Sequence, residues 1–282
     1  MLAIIGGSGL YALDELDIIK AHDLDTPFGK PSAPIIEASA HGAKVLFIPR
    51  HGKNHEFLPS EVNYRANIFA LKTLGACTVL SISASGSLQE EIKPGDLALA
   101  SQYFDHTRGL RKPSFFGEGI TAHISTAQPA CSVLAQDVLK AASDLDYDLH
   151  SEKTYACVEG PRLGTKAESN FLRGAAGCDV VGMTNIPEAF LAREAQMGYV
   201  TLAIATDYDC WREDPEEHVS VEAVFAVYNE NIGRIKKMVL KILENGISET
   251  PQNIRTALNG AVMTPDERLT NQQKAWLDIL RA

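Results

Sequence analysis

Short apolar runs alternate with longer stretches of helical period along most of this chain, and that alternation restricts it to α/β architectures. The runs at residues 2–5, 45–48, 79–83, 97–100, 155–158, 180–182 and 199–205 are bounded by Gly, Pro, Asp or polar clusters and read as strands. Helical periodicity occupies 63–74, 129–142, 165–174, 187–197 and 219–243. In the first of these, Ile68, Leu71 and Leu74 share a face, the polar Ser60 and Asn63 precede it, and Gly75 stands where a left-handed stop would fall. The expected fold is a single α/β domain, a central mixed β-sheet flanked by helices, over residues 1–246. Residues 247–282 read as a C-terminal helical extension, with a second amphipathic stretch at 271–280, docked on the domain or on a neighbouring subunit.

Composition enters as a filter on partners. The chain has 282 residues and 45% hydrophobic content, enough to bury one core. Its 26 Lys+Arg against 36 Asp+Glu give a net charge of −10, which disfavours a nucleic-acid backbone as ligand. Cys77, Cys131, Cys157, Cys178 and Cys210 are scattered without a CxxC pair, matching neither a zinc site nor a disulfide framework. They suit reduced thiols, and with no membrane-length apolar run the expected location is the cytoplasm, with no membrane partner.

Several strand-end loops carry groups suited to an anion. Gly6-Gly7-Ser8-Gly9 follows the first strand; its backbone N–H groups and the Ser8 hydroxyl make a phosphate cradle or plain turn chemistry, and it lacks the third glycine of a dinucleotide fingerprint. Arg50 and His51 open a basic loop that could hold a dianion or be a solvated turn. Ser83-Ala84-Ser85-Gly86-Ser87 supplies further small donors. Met183 reads by default as core filler and Thr184 as a helix cap ahead of Pro187. Most telling are Asp207 and Asp209, two carboxylates at i and i+2 just beyond the most apolar strand. Mutual repulsion there would tend to keep one protonated, as a general acid requires.

Taken in order, GGSGL, DTPFGKPS, RHGKNH with LPSEVNYRAN, ASGSLQEEIKPGD, VEGPR, GMTNIPEA and ATDYDCW resemble the trimeric-type purine nucleoside phosphorylases and, within them, the methylthioadenosine phosphorylases. The resemblance spans residues 1 to about 245. It implies a purine nucleoside phosphorylase-like, partly barrel-like sheet. It also implies a transferase of purine and methionine salvage that cleaves 5′-methylthioadenosine with phosphate to adenine and 5-methylthioribose-1-phosphate. By motif position, phosphate would be held by Ser8, Arg50, His51, Ser83, Ala84 and Thr184. Ribose would lie against Met183, the base against Leu163 and the segment Asp207 to Asp209, with Asp207 as acid. Gly164 stands where relatives acting on 6-oxopurines carry Glu, and Asp207 where they carry Asn, which favours adenine.

At the 5′ end, Val221, Val224 and Phe225 would form an apolar wall for a methylthio group, where relatives acting on ordinary nucleosides place a His. The same loop carries His218, which in a shifted register would reach that end and admit adenosine. No metal, nicotinamide or pyridoxal site is expected, inorganic phosphate being a cosubstrate. A homotrimer is implied, with His123 lent to a neighbour's site. Rival readings are a nucleosidase using water, a 5′-methylthioinosine or general purine nucleoside phosphorylase, and a non-enzymatic nucleoside sensor.

Overall fold

In the computed structural model, residues 1–7, 16–213 and 220–282 are described. The described strands are β1 (Leu2–Gly6), β2 (Asp17–His22), β3 (Ile35–Ala40), β4 (Ala43–Pro49), β5 (Thr78–Ser87), β6 (Leu97–His106), β7 (Leu149–Val158), β8 (Val180–Gly182) and β9 (Gly198–Asp207). They form one mixed sheet in the order β2-β3-β4-β1-β5-β8-β7-β6-β9, and β9 pairs back onto β5. That last pairing closes β5, β8, β7, β6 and β9 into a ring, leaving β1 to β4 as an open wing. The architecture is therefore a single α/β domain with a partly barrel-like mixed sheet flanked by helices.

Strand alternation sorts the apolar side chains into two cores, one on each face. Ala3 and Ile5 of β1 join the cluster containing Ile68, Leu71, Leu191 and Trp276. Leu2 and Ile4, pointing the other way, join Val138, Ile235, Met238 and Ile242. Helices α1 (Tyr64–Thr73), α4 (Asn185–Glu194) and α7 (Asn271–Arg281) cover the first face. The second is covered by α2 (Ser132–Asp144), α5 (Val221–Asn245) and α6 (Gln252–Arg255). Because helices lie on both faces, β9 is buried along its whole length and reads as an unbroken apolar run.

Local signals hold where the sequence predicted them. The Asn63 side chain accepts the Ala66 N–H at the start of α1, and Gly75 takes φ +87° just beyond its end. The predicted helix at 165–174 divides into α3 (Lys166–Asn170) and one π-helical turn, Phe171–Ala175. α3 is opened by a reciprocal capping box between Thr165 and Glu168. β2 and β3 carry no clear sequence signal: β2 is an edge strand exposed through most of its length, so nothing enforces alternation on it. The C-terminal residues pack on this same chain, with Trp276, Leu277 and Leu280 of α7 buried in the first core. Trp276 meets Phe28 edge-on at 5.5 Å between ring centroids.

Candidate active site

One cavity of ≈ 960 Å³ opens at the ends of β1, β4, β5, β8 and β9, where loops from distant parts of the chain converge. Arg50, His51, Ser83, Ala84, Thr184, Met183, Leu163, Asp207, Asp209, Val221, Val224 and Phe225 all line it. Anion-binding candidates and the carboxylate pair thus share one chamber. Ser8 and His218 lie outside the described residues. His123 does not line the cavity; its backbone N–H donates to the Ala261 carbonyl at 3.0 Å.

Arg50 emerges from the end of β4 and is buried. Its guanidinium donates to both carboxylate oxygens of Glu188, from Nε at 2.8 Å and Nη2 at 2.9 Å. Further bonds reach Ser81 Oγ at 2.6 Å and the Ile82 carbonyl at 3.3 Å. Of five guanidinium N–H groups these use four, leaving one Nη1 proton for a ligand among the described residues. Glu188 also accepts from Tyr199 Oη at 2.8 Å and Ser81 Oγ at 2.9 Å. Arg50 is therefore held rigid and permanently charged by a buried partner, with Glu188 pushing its pKa upward against the opposing effect of burial.

His51 donates from Nδ1 to the Phe57 carbonyl at 2.9 Å. Burial, followed by the neighbouring Arg50 charge, lowers its pKa to about 4, so the ring is neutral near pH 7 and Nε2 is an acceptor. It stacks on His55 at 4.5 Å between ring centroids. Ser83 Oγ is tied to Tyr155 Oη at 3.0 Å. Thr184 occupies the N-cap position of α4 without bonding an α4 backbone N–H through its side chain, its hydroxyl instead reaching Asn185 Oδ1 at 3.3 Å.

At the far end, Asp207 closes β9 and both its oxygens are engaged. Oδ1 accepts the Asp209 N–H at 2.7 Å, and Oδ2 lies 2.7 Å from Thr206 Oγ. Thr206 Oγ is also 3.3 Å from the Ser85 carbonyl, so its one proton serves one of the two at a time. Burial is what chiefly raises the pKa of Asp207, with the Asp209 charge adding a little; for Asp209 burial again dominates. Desolvation, and not chiefly the mutual repulsion expected from the sequence, favours the neutral acids. Asp209 adopts φ +52°, and a Cβ at Gly86 would stand 3.0 Å from Asp207 Oδ1, so this corner is closed by backbone as well as side chains.

Sequence reasoning missed Glu188, Ser81, Arg111 and Ser169. Arg111 donates to Glu159 at 2.8 Å and to the Ile186 carbonyl at 2.6 Å, stitching the loop bearing Leu163 to the one bearing Thr184. The GMTNIPEA and VEGPR motifs contain Glu188 and Glu159, but nothing in their spacing names a buried arginine as partner. Ser169, buried on α3, lines the cavity beside Asp209. Among the described residues, no group of three or more His, Cys, Asp or Glu side chains could hold a metal ion, and no helix is long and apolar enough to cross a membrane.

A chamber at the sheet's strand ends, with a buried arginine facing one part and buried acids another, defines a site for a small anion together with a polar organic ligand. The chain belongs to the phosphorylase superfamily, whose family model matches residues 1–244. It is 41% identical over 280 residues to the S-methyl-5′-thioadenosine phosphorylase of Geobacter sulfurreducens, covering 99% of this chain and 97% of that protein. The enzyme of that name from Hyperthermus butylicus is 46% identical, covering 86% of this chain and 87% of its own. Among solved structures, a methylthioadenosine phosphorylase from an Antarctic soil metagenomic library superposes with TM-score 0.92 at 41% identity, covering 99% of this chain and 98% of the other. The methylthioadenosine phosphorylase of Schistosoma mansoni in complex with adenine superposes with TM-score 0.86 at 33% identity, covering 93% and 98%.

Proposed function

We propose that this protein is a pentosyltransferase that cleaves 5′-methylthioadenosine with inorganic phosphate, giving adenine and 5-methylthioribose-1-phosphate. The observation that carries this reading is the single cavity lined by both Arg50 and the Asp207–Asp209 pair. Breaking the N9–C1′ bond leaves positive charge on the sugar and an electron pair on the purine. Catalysis therefore needs an anion near C1′ and a proton near N7.

In this scheme phosphate is gripped by the free Arg50 N–H, the Ser83–Ala84 backbone and Thr184, with Ser8 completing the cradle. Neutral His51, whose Nδ1 proton is already given to Phe57, accepts from a phosphate that brings its own proton. A phosphate oxygen bonds to C1′ as the N9–C1′ pair passes to the base. Neutral Asp207 gives its proton to N7 and is reprotonated from solvent as adenine leaves. Asp209 accepts from the 6-amino group, while Met183 and Leu163 pack against sugar and base.

Phe57, Leu58, Val221 and Phe225 are 36%, 44%, 55% and 49% exposed, and Phe57, Leu58, Val221 and Phe225 all line the cavity. That apolar rim suits a methylthio group and a cover supplied by a second copy. We take the assembly to be a homotrimer in which His123 serves the neighbouring site. The five unpaired cysteines, four of them buried, fit a reducing cytoplasm.

The deciding measurement is base release from methylthioadenosine, adenosine and methylthioinosine, each with and without phosphate. Methylthioadenosine should be cleaved fastest and methylthioinosine slowest, with no release in phosphate-free buffer. Phosphate-independent cleavage would establish hydrolysis instead, and binding without turnover would establish a sensor.

A further inference from the structure

Ser169 is fully buried, and its hydroxyl stands beside the Asp209 carboxyl without forming a hydrogen bond of good geometry to any described residue. Leaving such an atom unsatisfied is unfavourable, so its retention asks for a hydrogen-bond partner. Its placement follows from the chain around it. The Thr165–Glu168 capping box opens α3, the Arg162–Glu168 ion pair at 2.6 Å anchors that box, and the Ser169 N–H donates to the Thr165 carbonyl at 2.9 Å. α3 therefore presents Ser169 at a set position on the cavity wall.

Two groups stand beside that hydroxyl, the Asp209 carboxyl and the Cys210 thiol. The thiol is committed elsewhere, to the Gly164 carbonyl at 3.4 Å. Gly164 also stands against this carboxyl, since a Cβ there would lie 3.7 Å from Asp209 Oδ2. Asp207 is unlike its neighbour, because Thr206 and the Asp209 N–H already occupy both of its oxygens. Among the described residues Asp209 has no side-chain hydrogen bond as well formed as those of Asp207; the Ser169 hydroxyl and the Cys210 N–H and thiol stand beside its carboxyl.

We infer that Ser169 is a positioning residue for base recognition: when a 6-aminopurine enters, its hydroxyl donates to the Asp209 carboxylate and turns the other oxygen toward the exocyclic amino group. This rests on the reading of the Asp207–Asp209 corner as the base site. In the same sense, Ser169 favours the ionised form of Asp209 while burial opposes it. A 6-oxo base offers no amino proton and gains nothing from that arrangement.

The test compares S169A, S169C and S169T with the wild type. Ala removes the donor, Cys keeps nearly the same shape with a weak donor, and Thr restores the hydroxyl. With methylthioadenosine, S169A and S169C should raise KM about tenfold or more with a smaller change in kcat. They should also move the acidic limb of the kcat/KM profile to higher pH, and S169T should recover both. KM and pH limb within twofold of wild type in S169A and S169C, or an S169T as impaired as S169A, would overturn the assignment. If one variant fails to fold, as seen by thermal unfolding, the other carries the comparison. Should the wild type cleave no nucleoside, the functional reading fails separately. Adenine titration by calorimetry then decides the inference: weaker binding by S169C, restored in S169T, supports it, and equal affinities refute it.

Discussion

The two ends of the cavity handle buried charge in opposite ways. At one end Arg50 is kept ionised by a buried counter-charge, Glu188, and by neutral donors and acceptors around both. At the other, Asp207 and Asp209 have no cation beside them among the described residues, and burial pushes both toward the neutral form. Each end is thereby prepared for a different task. A permanent charge held by a partner can grip an anion without titrating, whereas a desolvated acid is a proton source.

The strongest way to break this comparison is Glu188→Gln. Removing one member of a buried pair leaves an uncompensated charge and should cost about 3–5 kcal/mol of stability in urea unfolding. Phosphate at saturating concentration should recover part of that loss, because the ligand then supplies the missing negative charge. A variant as stable as wild type would show that Glu188 does not hold Arg50.

Asp207→Asn comes next. It should lower turnover by on the order of 10²-fold or more, in the range for general acid catalysis. Its thermal midpoint should not fall, since an amide replaces an acid that the fold prefers uncharged. Unchanged turnover would remove Asp207 from the chemistry.

The smallest effects separate the ends by pH. His51, with a folded pKa of about 4 against 6.5 unfolded, contributes stability that is present above pH 6.5 and lost as pH falls toward 4. His51→Asn should therefore be favoured relative to wild type on going down through that window. Asp207 has a raised pKa, so its cost appears above the ordinary value of 3.8 and grows until the folded pKa is passed. Asp207→Asn should gain relative to wild type as pH rises. Each slope is bounded by roughly 1.4 kcal/mol per pH unit for one proton, and parallel slopes in urea titrations would contradict the contrast.

Much of this site was legible beforehand because it sits at the ends of strands whose apolar runs are unmistakable. Arg50, Thr184 and Asp207 each lie at or just beyond such an end, whereas Ser83 to Ser87, expected as a loop, continue β5 because Ser83 to Ser85 stay paired with β9. Glu188 and Ser169 were not legible, because both lie in helical segments where a carboxylate or hydroxyl ordinarily faces water. Only the packing of α4 against the sheet turns Glu188 inward to Arg50. For the tail, the 271–280 pattern announced an amphipathic helix but not which surface it would cover.

The sequence alone determined the alternation of strand and helix, the two-faced burial of the central strands and the chemical types gathered in the loops, because periodicity and residue chemistry are local properties. Tertiary structure decided the closure of β9 onto β5, the pairing of Arg50 with Glu188 and the protonation preference of Asp207. These depend on distance and desolvation between segments far apart in the chain, quantities that no local pattern encodes.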